Sequence, residues 1–271
     1  MVHIHSSWSG IVVTCSRTDD LLSKNYPSEF VMNHTIVRPA QVAAETRARE
    51  IASRIGLPLT TNRVEGYRFV LEVAVDQLAI RDLYQSRTRP VSINPLRPRA
   101  PGRGRDLLAR ATGRNCRTVF DATAGLGRDA LHLAWLGRQV TAVERSPVLA
   151  ELLRDAVESL ELVSGVGSIK VHCGDSRLLL KELPKADVVY LDPMFPDRGV
   201  HHAAPRKELE LLRGLVGLDP DAKALADLAQ TCAGRRMVVK RPRSARPLTG
   251  SPDFEVPGRA IRYDVYLSGL Q

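Results

Sequence analysis

The alternation of apolar and polar positions changes character along this chain. From residue 118 onward, short apolar runs predict strands at Thr118–Asp121, Gln139–Glu144, Ile169–His172, Asp187–Leu191, Met237–Lys240 and Ile261–Leu267. Between them, apolar residues at helical spacing predict helices at Arg128–Leu136, Pro147–Leu160, Arg177–Leu183, Arg206–Val216 and Asp221–Ala233. Strands separated by helices indicate a doubly wound, Rossmann-like α/β sheet. The last two strands have no helix between them, so we expect one of them to be antiparallel.

The first part of the chain has a different pattern. It predicts a strand at Ile11–Thr14, a helix at Pro39–Ile55 ended by Gly56 and Pro58, and two strands at Arg68–Val75 and Leu78–Tyr84. The stretch from Arg89 to Gly104 is rich in Pro, Gly and Arg and has no hydrophobic period, which is typical of a linker or a loop. We therefore expect a small N-terminal α+β domain at residues 1–95 and a second domain at residues 96–271.

Length and composition fit a globular protein. The chain has 271 residues, of which 44% are hydrophobic and 25% charged. No apolar run approaches the roughly 18 residues of a membrane helix, and the first residues lack the pattern of a signal peptide, so we expect a cytoplasmic protein. The four cysteines are far apart, and His201-His202 has no supporting ligand nearby, so neither a disulfide nor a metal site is expected.

The positive charge indicates an anionic partner. The formal net charge is +9, and arginines are concentrated between residues 97 and 117 and again between 235 and 246. Such clusters favour nucleic acid ahead of a membrane, although a solvated basic face is the alternative. The residues that we expect to contact the phosphates of a nucleic acid are Arg103, Arg105, Lys240, Arg241 and Arg243.

A glycine motif follows the first strand of the second domain. In Asp121–Ala130, Gly125 permits a tight turn, Gly127 allows a ligand to approach the backbone, and the small Ala130 allows close packing. Glu144 comes 19 residues after Gly125, at the end of the next strand, where an acid can bind ribose hydroxyls. The motif predicts a nucleoside cofactor, against the alternative of a glycine turn beside a surface glutamate.

The acids near this motif favour S-adenosylmethionine over NAD. Asp121 would repel a pyrophosphate at the helix N-terminus, whereas it would suit the sulfonium or the ammonium group of S-adenosylmethionine. Asp129 would act in the same way, or would complement the helix dipole. Asp175, after the third strand, could bind an adenine amine or could cap the next helix.

A second motif, Asp192-Pro193-Met194-Phe195, ends the fourth strand. The Asp192 carboxylate can accept hydrogen bonds from an exocyclic NH2 group, and a turn fixed by Pro193 can aim a backbone carbonyl at the same group. Phe195 can stack on a flat base. These three residues are the predicted catalytic group, acting on a nucleobase amine. The alternative is a strand that ends in a proline-rich turn.

With these motifs the chain resembles the ribosomal RNA small subunit methyltransferase J family, whose members methylate a guanine N2 in 16S ribosomal RNA. The similar segments are Asp121–Ala130, Val143–Val148, Val188–Pro196, Leu215–Pro220, Val238–Pro242 and Arg262–Tyr266. The resemblance implies a class I S-adenosylmethionine-dependent methyltransferase sheet, with small-subunit RNA or the 30S subunit as partner. It also implies that the cofactor pocket is lined by Arg128, Asp129, Glu144, Arg145, Asp175, Ser176 and Asp192.

The chain departs from the family where RNA contact is expected. The Gly-rich stretch before the first motif is replaced by Arg99–Arg105, and the segment after Phe195 reads Asp197–His202 where the family is Lys-rich. Three other functions stay open at this point: an NAD-dependent oxidoreductase, an RNA-binding module without activity, and a methyltransferase that acts on amines of DNA or of another RNA.

Overall fold

The computed structural model describes residues 34–85, 89–95, 106–160, 166–194 and 206–269, with side chains from residue 210 in the last range. Several predictions fall outside these residues. They concern the strand at Ile11–Thr14, the arginines Arg103 and Arg105, the aromatic Phe195, the pair His201-His202, and Cys15.

The N-terminal part contains a three-stranded sheet. Strand β1 (Thr35–Pro39) pairs in parallel with β2 (Phe69–Val73), and β2 pairs antiparallel with β3 (Leu78–Asp82). Helix α1 (Glu45–Ile55) crosses between β1 and β2 and ends at Gly56, which has φ +68°. The two later strands were predicted. The predicted helix from Pro39 was too long, because Pro39 closes β1 and a short 3-10 turn at Val42–Ala44 precedes α1.

The second part contains a seven-stranded sheet with helices on both faces. Its strands are β4 (Thr118–Asp121), β5 (Gln139–Glu144), β6 (Ser168–Cys173), β7 (Val188–Leu191), β8 (Arg236–Pro242), β9 (Phe254–Pro257) and β10 (Ile261–Leu267). Their order is β6-β5-β4-β7-β8-β10-β9, parallel from β6 to β8, with β10 antiparallel to both of its neighbours. The doubly wound α/β prediction and the antiparallel last strand are confirmed.

Six helices accompany this sheet in the described residues: α2 (Leu107–Thr112), α3 (Arg128–Trp135), α4 (Pro147–Leu160), α5 (Ser176–Glu182), α6 (Arg206–Val216) and α7 (Ala222–Cys232). Side chains of α2, α3 and α4 pack on one face of the sheet, and those of α5 and α7 pack on the other. Helix α2 was not predicted. The Asp106 side chain caps it by accepting a hydrogen bond from the Ala109 amide at 3.0 Å.

A hydrophobic cluster joins the N-terminal sheet to two helices of the second part. Apolar side chains of α1, β2 and β3 pack against α4 and α6, through Leu149 and Leu152 of α4 and Leu215 of α6. Asp155 on α4 forms an ion pair with Arg47 and accepts a hydrogen bond from the Leu78 amide at 2.8 Å. The N-terminal sheet therefore rests on α4, and the predicted domain boundary near residue 95 stays a prediction.

Within the described ranges, no helix combines the length and the apolar character needed to cross a membrane. In the same residues, no group of three or more His, Cys, Asp or Glu side chains has the arrangement of a metal site. Among the described cysteines, Cys116, Cys173 and Cys232, none forms a disulfide, and Cys116 is buried.

Candidate functional site

The candidate site lies at the carboxyl edge of the large sheet. The parallel strands β4 to β8 all end there, and a polar residue lies at or near the end of each: Asp121, Glu144, Asp175, Asp192 and Lys240. Strand β4 pairs with β5 on one side and with β7 on the other. The loop after β4 therefore leaves the sheet at the point where the strand order reverses, which is where open α/β sheets bind their ligands.

Two glycines with positive φ shape the turn between β4 and α3. Gly125 has φ +53° and Gly127 has φ +68°. A Cβ on Gly127 would lie 2.2 Å from Leu153 Cδ1, whereas a Cβ on Gly125 would meet nothing within 4 Å. The contact with Leu153 gives Gly127 a packing reason for having no side chain, and the prediction that a ligand approaches there stays a prediction. The close neighbour of Gly127 is the protein's own α4, and the open side of the turn is at Gly125.

Glu144 links this turn to the end of β5. Its Oε2 accepts a hydrogen bond from the Gly125 amide at 2.8 Å, and its Oε1 accepts one from the Ser146 amide at 2.7 Å. Burial raises the pKa of Glu144, although these two hydrogen bonds oppose the shift. Each carboxylate oxygen has a second lone pair, so the arrangement is compatible with the ribose contact predicted for Glu144.

Asp121 is 1% exposed at the end of β4. Its Oδ1 accepts a hydrogen bond from the Thr123 amide at 3.2 Å. Burial raises its pKa well above the ordinary value, and the negative charges of Asp129, Asp192 and Glu144 raise it further. A site with four neighbouring carboxylates favours a cationic ligand and disfavours a pyrophosphate, so the donor set fits S-adenosylmethionine.

Lys240 bridges two carboxylates of this group. Its Nζ lies 2.7 Å from Asp129 Oδ2 and 2.7 Å from Asp192 Oδ2. Asp129 is buried in the first turn of α3 and also accepts a hydrogen bond from the Tyr190 hydroxyl at 2.6 Å. The prediction that Lys240 contacts RNA phosphates is therefore revised, because its ammonium is engaged inside the site. Asp129 belongs to the same internal network.

Of the two carboxylates bound to Lys240, that of Asp192 is the one exposed to solvent. Its side chain is 39% exposed, and its backbone amide donates to Thr123 Oγ1 at 2.6 Å. Protein surrounds the carboxylate closely enough that desolvation raises its pKa, while the Lys240 ammonium opposes the rise. Pro193 follows as a buried residue. The strand end thus presents a held but accessible carboxylate.

Asp219 is a site residue that the motif analysis did not single out. Its Oδ2 accepts a hydrogen bond from the Met194 amide at 2.6 Å, and its other oxygen forms an ion pair with Arg145. Arg145, predicted to contact the cofactor, also lies 3.4 Å from Asp221 Oδ1. The Asp219-Pro220 dipeptide, which belongs to a segment similar to the methyltransferase family, was the available signal.

The remaining residues predicted to bind the cofactor occupy the neighbouring loops. Asp175 caps α5 by accepting from the Arg177 amide at 2.8 Å, and its ion pair with the Arg177 side chain lowers its pKa against the effect of burial. The Ser176 hydroxyl donates to the Ala122 carbonyl at 2.6 Å and is buried. Arg128 lies exposed at the start of α3. The capping alternative considered for Asp175 is thus the one that its hydrogen bonds support.

Two predicted phosphate contacts lie at the end of β8 and just after it, and one of them is buried while the other is exposed. Arg241 is 8% exposed and donates from Nε and Nη2 to the Arg246 carbonyl, at 3.1 and 2.7 Å. This burial contradicts a contact between Arg241 and RNA at the surface. Arg243 is exposed and donates to the Gly258 carbonyl at 2.9 Å, so it is the predicted phosphate contact that lies at the surface in the described part of the chain.

Comparisons with known proteins agree on one family. A family model described as "Putative SAM-dependent methyltransferase" matches residues 50–268. A ribosomal RNA small subunit methyltransferase J from Coxiella burnetii is 38% identical over 250 residues, covering 87% of this chain and 98% of the relative. One from Alkalilimnicola ehrlichii is 41% identical over 239 residues, covering 81% and 90%. The crystal structure of a SAM-dependent methyltransferase from Neisseria gonorrhoeae matches with a TM-score of 0.68 and 29% identity, over 88% of this chain and 97% of that one.

Proposed function

The chain belongs to the ribosomal RNA small subunit methyltransferase J family of S-adenosylmethionine-dependent enzymes, and we propose that it methylates the exocyclic N2 of a guanosine in small-subunit ribosomal RNA. Family membership sets aside the NAD-dependent oxidoreductase and the inactive RNA-binding module. The observation that carries the choice of acceptor is the accessible Asp192 carboxylate, which Lys240 holds while the Asp192 backbone amide donates to Thr123 beside the glycine turn.

The residues that would hold the cofactor are those around the glycine turn. Glu144 would bind the ribose hydroxyls, Asp121 would face the cationic part, and the loop of Asp175 would lie by the adenine. When bound, S-adenosylmethionine supplies an electrophilic methyl group, whose bond to sulfur breaks as the acceptor nitrogen attacks. The buried carboxylates favour its positive charge, which is lost in the reaction.

Asp192 and Pro193 would prepare the acceptor amine. The lone pair of guanine N2 is delocalised into the ring, so the free amine is a poor nucleophile. Hydrogen bonds from this NH2 group to the Asp192 carboxylate and to the Pro193 carbonyl would favour a pyramidal nitrogen that attacks in line. Asp192 need not be a strong base, because the nitrogen proton becomes acidic once the methyl group is attached and then passes to the Asp192 carboxylate or to water. Phe195, outside the described residues, would stack on the extruded base.

The nature of the partner is supported by charge and by the names of the relatives. The net charge of +9 favours a polyanion, and the exposed Arg243 lies only three residues after Lys240 of the site. Arg103 and Arg105 remain predicted RNA contacts outside the described residues. We propose that the substrate is the assembled 30S subunit or its RNA. Methylation of a DNA amine in place of RNA would replace this proposal.

The test is the Asp192→Ala variant, with Asp227→Ala as a control that removes an exposed acid from a surface ion pair with Lys223. Transfer of labelled methyl from S-adenosylmethionine to 30S subunits and to their RNA should be lost in Asp192→Ala and kept in the control. Calorimetric binding of S-adenosylmethionine should change by no more than a few-fold. Near wild-type transfer by Asp192→Ala, or labelling of DNA in place of RNA, would refute the proposal. Mapping the labelled nucleotide then tests the N2 position.

A further inference from the structure

Lys240 connects three elements at the carboxyl edge of the sheet. It lies on β8, where Leu191 of β7 pairs with Val239 and Tyr263 of β10 pairs with Lys240 itself. The next residue after Leu191 is Asp192, so the side chains of Asp192 and Lys240 meet where the parallel strands end. The Lys240 ammonium has three donors, and it directs two of them to carboxylates on different elements.

The inner partner of Lys240 is Asp129, which is held by a second hydrogen bond. Asp129 is buried, and its Oδ2 accepts from both the Lys240 ammonium and the Tyr190 hydroxyl, at 2.7 and 2.6 Å. Tyr190 is itself buried, with its ring centroid 6.4 Å from that of Tyr263. The Tyr190 hydroxyl therefore helps to hold Asp129 in place, and the Lys240 ammonium bridges this buried carboxylate and Asp192.

Lys240 remains a cation in this environment. Burial alone would lower its pKa, but the carboxylates of Asp192 and Asp129 outweigh burial and raise it above the ordinary value. A protonated ammonium donates hydrogen bonds and accepts no proton, so Lys240 does not serve as the base that removes the amine proton. What it can supply is a positive charge and a fixed direction for the Asp192 carboxylate.

We propose that Lys240 is a positioning residue for methyl transfer: it holds Asp192 by Oδ2 and leaves Oδ1 as the oxygen that accepts a hydrogen bond from the substrate amine. The inference rests on the proposed function and makes it more specific. Without the ammonium, the Asp192 carboxylate loses both its orientation and the nearest positive charge, while burial and the charge of Asp129 continue to favour its protonated form. The other titratable groups that face this pair are Asp121 from β4, Tyr190 from β7 and Tyr263 from β10.

The first test measures the ionisation of Asp192 directly, in the protein without cofactor. Carbon-13 NMR of labelled aspartate carboxyls gives a titration midpoint for each, and the signal missing in Asp192→Asn identifies Asp192. In Lys240→Met this midpoint should move to higher pH by about one unit or more. In the control Lys223→Met, which breaks an exposed lysine–aspartate pair of the same 2.7 Å length, it should not move. An unchanged midpoint in Lys240→Met would overturn the inference.

A second variant should shift the Asp192 midpoint in the opposite direction, and it covers the case in which Lys240→Met does not fold. Asp129→Asn keeps the ammonium and removes the charge that raises the pKa of Asp192, so the midpoint should move to lower pH. The acid limb of the pH profile of kcat should follow the midpoint in both variants. A purely structural role would lower the melting temperature without moving either quantity.

The separate effects of the variants on kcat and on KM distinguish positioning from substrate binding. Lys240→Met should lower kcat by about a hundredfold, while binding of S-adenosylmethionine and the KM for 30S subunits change by less than about threefold. Lys240→Arg keeps the charge, so it should restore the acid limb of the pH profile more completely than it restores kcat. If Asp192→Asn retains methylation, the proposed function fails. If Asp192→Asn is inactive but Lys240→Met leaves the Asp192 midpoint unchanged, only the role of Lys240 fails.

Discussion

Asp219 and Met194 are joined by two hydrogen bonds: the Met194 amide donates to Asp219 Oδ2 at 2.6 Å, and the Asp219 amide donates to the Met194 carbonyl at 3.2 Å. This pairing fixes the segment that carries Asp192 and Pro193 to the loop before α7. The other Asp219 oxygen pairs with Arg145, the residue after Glu144. Asp219 therefore connects the cofactor side of the site with the acceptor side.

Asp219→Ala should lower kcat more than it lowers cofactor affinity. It leaves the Met194 amide without its acceptor and removes one of the two ion pairs of Arg145, so we expect kcat to fall at least tenfold and the free energy of unfolding to fall by about 1–3 kcal/mol. Single-turnover methylation and urea denaturation measure the two effects. Asp221→Ala is the control, because Asp221 also pairs with Arg145 but makes no bond to Met194. Equal kcat in Asp219→Ala and wild type would show that the loop is held by other contacts.

The two glycines of the turn should respond differently to alanine. Gly125→Ala places a Cβ in open space at φ +53°, which costs about 1–2 kcal/mol, but we expect affinity for S-adenosylmethionine to fall at least tenfold. Gly127→Ala drives a Cβ against buried Leu153 and should lower the free energy of unfolding by a further ~1–3 kcal/mol. Denaturation and calorimetric titration compare the two variants. Wild-type affinity in Gly125→Ala would place the cofactor elsewhere.

Asp121→Asn should stabilise the protein without cofactor at neutral pH. The pKa of Asp121 is raised on folding, so its favourable contribution is complete below the unfolded pKa near 3.8 and is lost as pH rises through the folded pKa. The variant lacks this loss and keeps an acceptor for the Thr123 amide. Its advantage should grow from about pH 4 upward, by at most ~1.4 kcal/mol per pH unit.

With cofactor bound, we expect the wild type to be more stable than Asp121→Asn. S-adenosylmethionine should raise the melting temperature of wild type more than that of Asp121→Asn, because the carboxylate favours a cation. Thermal unfolding from pH 4 to pH 8, with and without cofactor, measures both effects. A stability difference that stays constant across pH would show that Asp121 has the same ionisation in the folded and unfolded states.

Arg243 and Arg241 should separate RNA affinity from stability. Arg243→Ala should weaken RNA binding and reduce the slope of log affinity against log salt by about 0.7–0.9, as expected for one lost phosphate contact. Arg241→Ala removes two hydrogen bonds to a carbonyl and should lower the free energy of unfolding by about 1–3 kcal/mol while leaving the slope unchanged. Filter binding of RNA over a series of salt concentrations shows which of the two arginines contributes to RNA affinity. The reverse outcome would assign Arg241 to RNA and Arg243 to solvent.

The elements that the sequence alone predicted are those whose signals are local. The parallel strands from β4 to β8 are short apolar runs, and the helices that follow them have an amphipathic repeat, so the α/β fold and the position of Asp121, Glu144 and Asp192 at strand ends were readable. Two of the elements that it missed depend on distant partners. Strand β1 forms by pairing with β2 some thirty residues later, and β9 is a largely exposed edge strand that exists through β10.

The roles of the charged side chains were decided by tertiary structure. In sequence, Lys240 and Arg241 belong to one basic run, yet adjacent residues of a strand face opposite sides of a sheet, and each meets a different internal partner. Lys240 reaches Asp192 and Asp129, which are 48 and 111 residues away along the chain. A sequence shows that a charge is present and which element carries it. Which opposite charge it meets depends on strand order, register and packing, and these only the folded chain determines.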